Sequence, residues 1–299
     1  MKVCRSCRFL LLVTISLLHA LDASALSKEL TIDAGLGCQL RAVVESPASE
    51  VASADVLFFP GFSDRADNHA PLFSQLTDSG FRVISFDYPS HGKTDCWNLN
   101  LHSMVSLEGL AQIVLLSPEI KSEAPLYLVG WSTGGLLAYR MLQRGQPAFR
   151  TVKGAVLLAP GLSVYPVPGV MGFVTMDSLL SNPNPPHLGE ISPSTPLAYP
   201  LFGADLIATS LLARFESVPN KPVMMLLGDD VLDVYANTPK IKKWFKTARS
   251  ADFVAYQCDG AKHELDNEIE PIGQNVRSLI INFLSETANE ETNSVCKPL

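Results

Sequence analysis

The chain has 299 residues, a formal net charge of −7, 47% hydrophobic and 18% charged residues. That balance describes a folded protein with a sizeable core and excludes a disordered one. No basic stripe runs through the sequence, so a role in tracking nucleic acid is excluded as well.

The first 25 residues read as a targeting segment. Lys2, Arg5 and Arg8 come first, an apolar run from Phe9 to Leu18 follows, and Ala23-Ser24-Ala25 closes the segment. A positive start, a short apolar run and a small-residue site make a secretory signal peptide, cut after Ala25. The run is short of the ~20 residues that cross a bilayer, and no second run of that length appears. The mature chain is therefore expected to be exported, secreted or periplasmic, without a stable membrane span. Cleavage removes three basic residues and Asp22, which takes the formal charge from −7 to −9. Cys4 and Cys7 leave with the segment, and Cys38, Cys96, Cys258 and Cys296 remain. In an oxidising compartment they allow one or two disulfides, with all three full pairings open. Their spacing is not that of metal ligands, so no metal is expected.

Short apolar runs then alternate with helical patterns. "LRAVVES", "ADVLFFPGF", "FRVISFDYP", "PLYLVGWS", "VKGAVLLAP", "PVMMLLGD" and "DFVAYQCDG" read as strands. Stretches with 3.6-residue spacing at Leu72–Ser79, Val105–Ile113, Leu136–Leu142 and Pro239–Thr247 read as helices, and a last helix is expected over Pro271–Glu286. Near-continuous apolar strands separated by helices predict an α/β fold, a mainly parallel central sheet flanked by helices. The rhythm breaks between Pro160 and Pro222, where Pro, Ser and Asn accumulate. A structureless loop of that length is rare in a compact domain, so the segment is expected to be an inserted cap. The expected organisation is a signal peptide at 1–25, a core at 26–160 and 223–286, a cap at 161–222 and a polar tail at 287–299. The tail is expected to fray unless Cys296 ties it down.

The chemistry centres on Gly130-Trp131-Ser132-Thr133-Gly134, a G-x-S-x-G pattern lying between "LYLVG" and "GGLLAYRML". A strand turning abruptly into a helix lifts the serine hydroxyl above the sheet, and the glycines remove Cβ atoms that would collide there. A serine hydroxyl attacks only when a base takes its proton. In this architecture the order is Ser, then acid, then His. Only His187 and His263 follow Ser132, and only His263 follows an acid at a strand end. That makes His263 the candidate base. Asp229, Asp230 and Asp233 lie beyond the strand "PVMMLL". Asp229, closest to the strand end, is the favoured acid with Asp230 as the alternative, and Asp233 is read as the start or cap of the next helix. The amides of Thr133, at a helix N-terminus, and Phe62, after Gly61, are the candidate oxyanion donors. This chemistry needs no cofactor.

Together, "FFPGFSDRADNHAPLFSQLTDSGFRVISFDYPSHGKTD", "VGWSTGG", "DDVLD" and "GAKHELDNE" resemble the α/β-hydrolases. The likeness is to the branch of lysophospholipases, monoacylglycerol lipases and serine aminopeptidase-like proteins, over nearly all of residues 30–285. Pro60-Gly61 stands where that family usually has His-Gly, and Asp87 to Thr94 stand where it has Asp-x-Arg-Gly-His-Gly-x-Ser. The family's acid segment often reads Asp-x-aliphatic-aliphatic-Asp, a register that Asp229 to Asp233 fit and that supports Asp229. The resemblance places His91 in a structural turn and implies a helical cap where the Pro-rich insert falls. It implies a serine hydrolase acting on a small-molecule or lipid-like ester; the cap's own apolar residues between Val164 and Leu180 would form a wall suited to an acyl chain. An aminopeptidase using the same three residues would need a carboxylate for the amine, for which Glu190 is the cap's clearest candidate. A binding protein on the same fold is the non-catalytic alternative.

Overall fold

The computed structural model of the chain describes residues 26–49, 51–96, 102–145, 149, 151–165, 175–187, 198–217, 219–248, 252–286 and 295–299. The expected signal segment and its cleavage site lie outside them. Nine strands are described: β1 (Leu26–Asp33), β2 (Gln39–Ser46), β3 (Ala54–Phe59), β4 (Phe81–Phe86), β5 (Leu126–Trp131), β6 (Val152–Leu158), β7 (Val223–Leu227), β8 (Phe253–Cys258) and β9 (Cys296–Pro298). They form one sheet in the order β1-β2-β4-β3-β5-β6-β7-β8-β9. From β4 through β8 every pairing is parallel; β1–β2, β2–β4 and β8–β9 are antiparallel.

Why the apolar runs became central strands is plain from their burial. Every residue of β3, β5 and β7 is buried, as a strand covered on both faces requires. One face packs against α2 (Met104–Leu116), α3 (Thr133–Arg144) and α6 (Thr238–Ala248), through residues such as Leu110, Leu137 and Phe245. The other packs against α1 (Ala70–Asp78) and α7 (Ile272–Leu284), through Phe73, Val276 and Ile280. β1 escapes the apolar-run criterion because it is a largely exposed edge strand, "LSKELTID". A charged edge of this kind blunts pairing with other chains.

The Pro-rich insert lies between β6 and β7 and carries α4 (Met176–Leu179) and α5 (Ala198–Phe215). Two framework helices hold α5. Arg140 of α3, buried, makes paired hydrogen bonds of 2.7 and 3.0 Å to the Glu216 carboxylate just beyond it. Asp205 accepts the Met104 amide at the start of α2 at 2.7 Å, which satisfies one of the orphan donors of that helix end.

The four cysteines resolve the open pairing as Cys38–Cys96 and Cys258–Cys296. The first fastens the approach to β2 to the segment after β4. The second ties down the tail, which adds β9 to the edge of β8. Closing 58 residues with Cys38–Cys96 restricts the unfolded chain by an amount worth about 4 kcal/mol. The Cys38→Ala/Cys96→Ala double variant is expected to lose stability of that order, read from the midpoint of urea unfolding.

Candidate active site

The turn from β5 into α3 places Ser132 at φ +55° and ψ −114°. A residue with a side chain costs roughly 1–3 kcal/mol in such a region and stays there only if its surroundings hold it. Here the Ser132 amide donates to the Leu158 carbonyl at 2.8 Å, and its own carbonyl accepts from Gly161 at 2.8 Å. The glycines of the motif are dictated by distance. A Cβ on Gly134 would lie 2.1 Å from the Phe59 carbonyl oxygen of β3, and one on Gly130 would lie 2.3 Å from that of Gly134. Only bare backbone lets α3 begin this close to the sheet.

His263 lies in the loop after β8. Its Nε2 is 2.8 Å from the Ser132 Oγ, and its Nδ1 is 2.9 and 3.1 Å from the two carboxylate oxygens of Asp233. A carboxylate can only accept, so Nδ1 carries the hydrogen and Nε2 faces the serine hydroxyl as acceptor. The Trp131 indole donates to the His263 carbonyl at 2.8 Å. From the cap side, the Leu179 carbonyl accepts the amides of both His263 and Glu264, at 2.8 and 2.9 Å. The imidazole is thus held from the sheet, from the cap and from its own carboxylate.

The carboxylate is Asp233, and this corrects the assignment of Asp229. Asp229 turns away from His263: its Oδ1 accepts the amides of Val231 and Leu232, and its Oδ2 that of Gly260. Those backbone donors, Val231 first, hold its carboxyl below the usual carboxylate range. Asp230 pairs with Lys242 at 2.5 Å and accepts from Gln257. Neither is free to reach the imidazole. The turn that Asp229 nucleates winds the chain four residues on, where the Asp233 amide donates to the Asp229 carbonyl at 3.2 Å. Asp233, 1% exposed, also accepts the amides of Tyr235 and Ala236. Asp233 therefore neither starts nor caps the next helix, which begins at Thr238 with Asn237 accepting the Lys240 amide; its carboxylate closes a turn and meets His263.

Phe62 and Thr133 line the same cleft as Ser132 and His263, so both candidate donors border the reactive hydroxyl. The loop carrying Phe62 is positioned by His91. The Ser63 amide donates to His91 Nε2 at 2.9 Å, and His91 Nδ1 donates to the Pro89 carbonyl at 2.8 Å. Burial pushes His91 down to about 4, so it stays neutral and keeps its acceptor. The structural turn expected for His91 is what the hydrogen bonds describe.

A second imidazole links the two loops of the site and was not singled out from the sequence. His69, fully buried, sits 2.7 Å from Asp64 Oδ2 through Nε2 and 2.7 Å from Asp266 Oδ2 through Nδ1. Two acceptors require two N–H donors, so the ring is an imidazolium. Burial alone would lower its pKa, but the carboxylates of Asp266 and Asp64 hold it well above the ordinary 6.5. Asp64 belongs to the Phe62 loop, and Asp266 lies three residues beyond His263. Asp64 is only five residues from His69, but Asp266 is 197 residues away, and only the fold that brings it beside them reveals the brace.

The cleft above Ser132 has an open volume of about 60 Å³ and is lined by Phe62, Trp131, Val164, Tyr165, Leu179, Phe202, Leu206 and Tyr235 among others. Val164, Tyr165 and Leu179 are members of the apolar wall expected from the cap, whereas Leu180 is buried in the core. The rest of that wall between 166 and 174, and Glu190, lie outside the described residues. A cleft that is apolar with a few convergent polar groups is the usual form of a small-molecule site. Among the described residues no group of His, Cys, Asp or Glu has the form of a metal site.

A model of the alpha/beta hydrolase family matches residues 56–277, and the chain belongs to that family. Its fold is similar to a soluble variant of the Saccharomyces cerevisiae monoglyceride lipase solved with a substrate analogue. That likeness has a TM-score of 0.66 at 17% identity, over 88% of this chain and 96% of that one. The Paleococcus ferrophilus monoacylglycerol lipase aligns with a TM-score of 0.64 at 20% identity, over 83% and 99%. A thermostable carboxyl esterase from Bacillus coagulans solved with glycerol gives 0.64 at 15%, over 87% and 98%. No curated protein sequence matches the chain. No helix among the described residues is long and apolar enough to cross a membrane.

The brace makes a pH prediction with a definite sign. In the unfolded chain His69 titrates near 6.5, and in the folded one it keeps its proton to higher pH. Its stabilisation is therefore complete below the unfolded value and is lost as pH rises through the folded one. His69→Gln is expected to cost most at about pH 6 and distinctly less at about pH 9, measured by urea unfolding of both proteins at each pH.

Proposed function

We propose that the protein is a serine hydrolase that cleaves carboxylic esters, and that its substrates are lipid-like. The hydrogen-bonded chain from Ser132 through His263 to Asp233, at the floor of an apolar cleft, is the observation that carries this reading. In the reaction, Ser132 Oγ attacks the ester carbonyl while His263 Nε2 takes its proton. Asp233 keeps the other ring nitrogen as the donor and offsets the charge that develops on the imidazole. The oxyanion is received by the amides of Thr133, at the positive end of α3, and Phe62. His263 then returns the proton to the departing alcohol, which leaves an acyl group on Ser132. Water, deprotonated by the same imidazole, releases the acid and restores the hydroxyl.

The preference for an ester of lysophospholipase or monoacylglycerol lipase type follows from what lines the cleft. Its described walls are aromatic and aliphatic and include no carboxylate apart from the one behind His263. A hydrocarbon chain gains from such a wall, whereas the ammonium group of a peptide would find no partner among those residues. Export through cleavage near Ala25 belongs to the same proposal, and the two disulfides support it because such bonds persist in oxidising compartments.

Three variants test the assignment. The natural protein is expected to label with a serine-directed fluorophosphonate and to hydrolyse p-nitrophenyl esters, with both lost in Ser132→Ala and His263→Ala. Asp233→Asn should lower kcat by on the order of 10⁴-fold, the effect of presenting the wrong tautomer. Asp229→Asn should turn over substrate at close to the natural rate, because its side chain only shapes the turn. A natural protein that folds but neither labels nor turns over any ester would rule out the hydrolase reading.

A further inference from the structure

One side of the cleft above Ser132 ends on a pair of stacked rings. Phe62, from the loop after β3, and Phe202, from cap helix α5, lie 4.6 Å apart with their planes 11° from parallel. Both rings line the cleft, and both also line a second, much smaller cavity of about 10 Å³ completed by Tyr88, Pro89, His91, His102 and Leu107. The stack is therefore the shared wall between two cavities.

The polar atoms around the second cavity are occupied elsewhere. The Tyr88 hydroxyl donates to the Pro60 carbonyl at 2.8 Å. His91 is engaged through both nitrogens, and burial keeps it uncharged. His102 Nε2 bonds the Ser90 hydroxyl at 3.1 Å. What the cavity presents inward is carbon, the Leu107 side chain among its lining. Such a space is suited to methylene groups and poor for water, which needs two to four polar partners.

The two rings differ in how they are held. Phe62 also meets the His91 ring edge-on at 5.1 Å, and its backbone belongs to the loop that His91 fastens. Phe202 comes from the inserted segment and is 2% exposed, so its size decides whether the wall is continuous.

We propose that Phe202 is a specificity-determining residue, which closes the partition with Phe62 and sets the longest hydrocarbon chain the site accepts. The proposal rests on the ester-hydrolase reading and adds to it where the chain must stop. The chain is either the acyl part or the alkyl part of the ester, since both are hydrocarbon and both border Ser132 during the reaction. Removing the Phe202 ring joins the two cavities and lengthens the accepted chain.

The test compares the natural protein with Phe202→Ala on two series. One is p-nitrophenyl esters of acids from two to sixteen carbons, and the other is acetate esters of alcohols of increasing length. The quantity read is the ratio of kcat/KM for a long chain to that for the shortest, taken within each protein. The expected result is a longer optimum in one series, with the ratio raised by tenfold or more, the size of effect that a few added methylene contacts give. Filling the second cavity in the same background, with Phe202→Ala/Leu107→Trp, should return the ratio toward that of the natural protein. A ratio unchanged in both series, in a variant that still labels with the fluorophosphonate, overturns the proposal. So does a gain that survives the Leu107→Trp change, since the added length would then lie elsewhere. If Phe202→Ala does not label, Phe202→Leu makes the same comparison with a smaller opening. Failure of the natural protein to hydrolyse any ester is a separate outcome, which removes the function itself.

Discussion

The close approach of α3 to the sheet is the constraint on which the rest of the site depends. Gly134 leaves no room for a Cβ against the β3 backbone, and that contact lets the helix start directly above the strand ends. The chain can then pass from β5 to α3 only through a residue held at positive φ, which is Ser132. The conformational cost is met by hydrogen bonds to Leu158 and Gly161 on the neighbouring strand end. The exposed hydroxyl is thus a product of packing, and everything else in the site is arranged around a point the sheet defines.

Two loops must then meet at that point, and different kinds of interaction hold each one. Backbone pairing with the cap and the Trp131 indole hold the His263 loop. A neutral, buried His91 holds the Phe62 loop. Between these two lies His69, charged because it is flanked by Asp64 and Asp266. An ion pair of this kind gains little if one partner is missing, since an unpaired charge left in the interior is costly. Its value is in register: it fixes the spacing of two loops that approach from opposite sides of the serine. Two histidines near one site are kept in opposite protonation states by the partners each is given.

The segment inserted between β6 and β7 does more than lie over the sheet. Its α4 end is sewn to the His263 loop, and the Ser178 hydroxyl meets that of Tyr235, whose ring stands 5.1 Å from His263. Its α5 is clamped to α2 and α3 and brings Phe202 against Phe62. Cleft shape and the position of His263 are therefore set by the same segment, so a change there reaches Ser132 as well as the cleft walls.

Much of this was legible in the sequence, for identifiable reasons. Apolar runs such as "VLFF" and "LYLVG" are buried on both faces, so composition alone marks them as central strands. The strand-serine-helix pattern is local, and the order of Ser132 before His263 is a property of the chain itself. The exposed β1 and the three-residue β9 carry no such signature, since pairing with a neighbour is what makes them strands. The acid was misread for a related reason. Asp229 and Asp233 stand at the two ends of one short segment, and nearness to the strand favoured the first. Which carboxylate faces His263 depends on a turn that consumes the side chain of Asp229 in backbone hydrogen bonds and carries Asp233 inward. The sequence by itself determined the sheet, the strand-to-helix turn at Ser132 and the order of Ser132 before His263, because these rest on hydrophobic pattern, local turn geometry and chain order. Only the tertiary structure decided the carboxylate, the cysteine pairing, the His69 brace and the Phe62–Phe202 wall. Each of these is a contact between residues far apart in the chain, and no local pattern records how far apart folding will leave them.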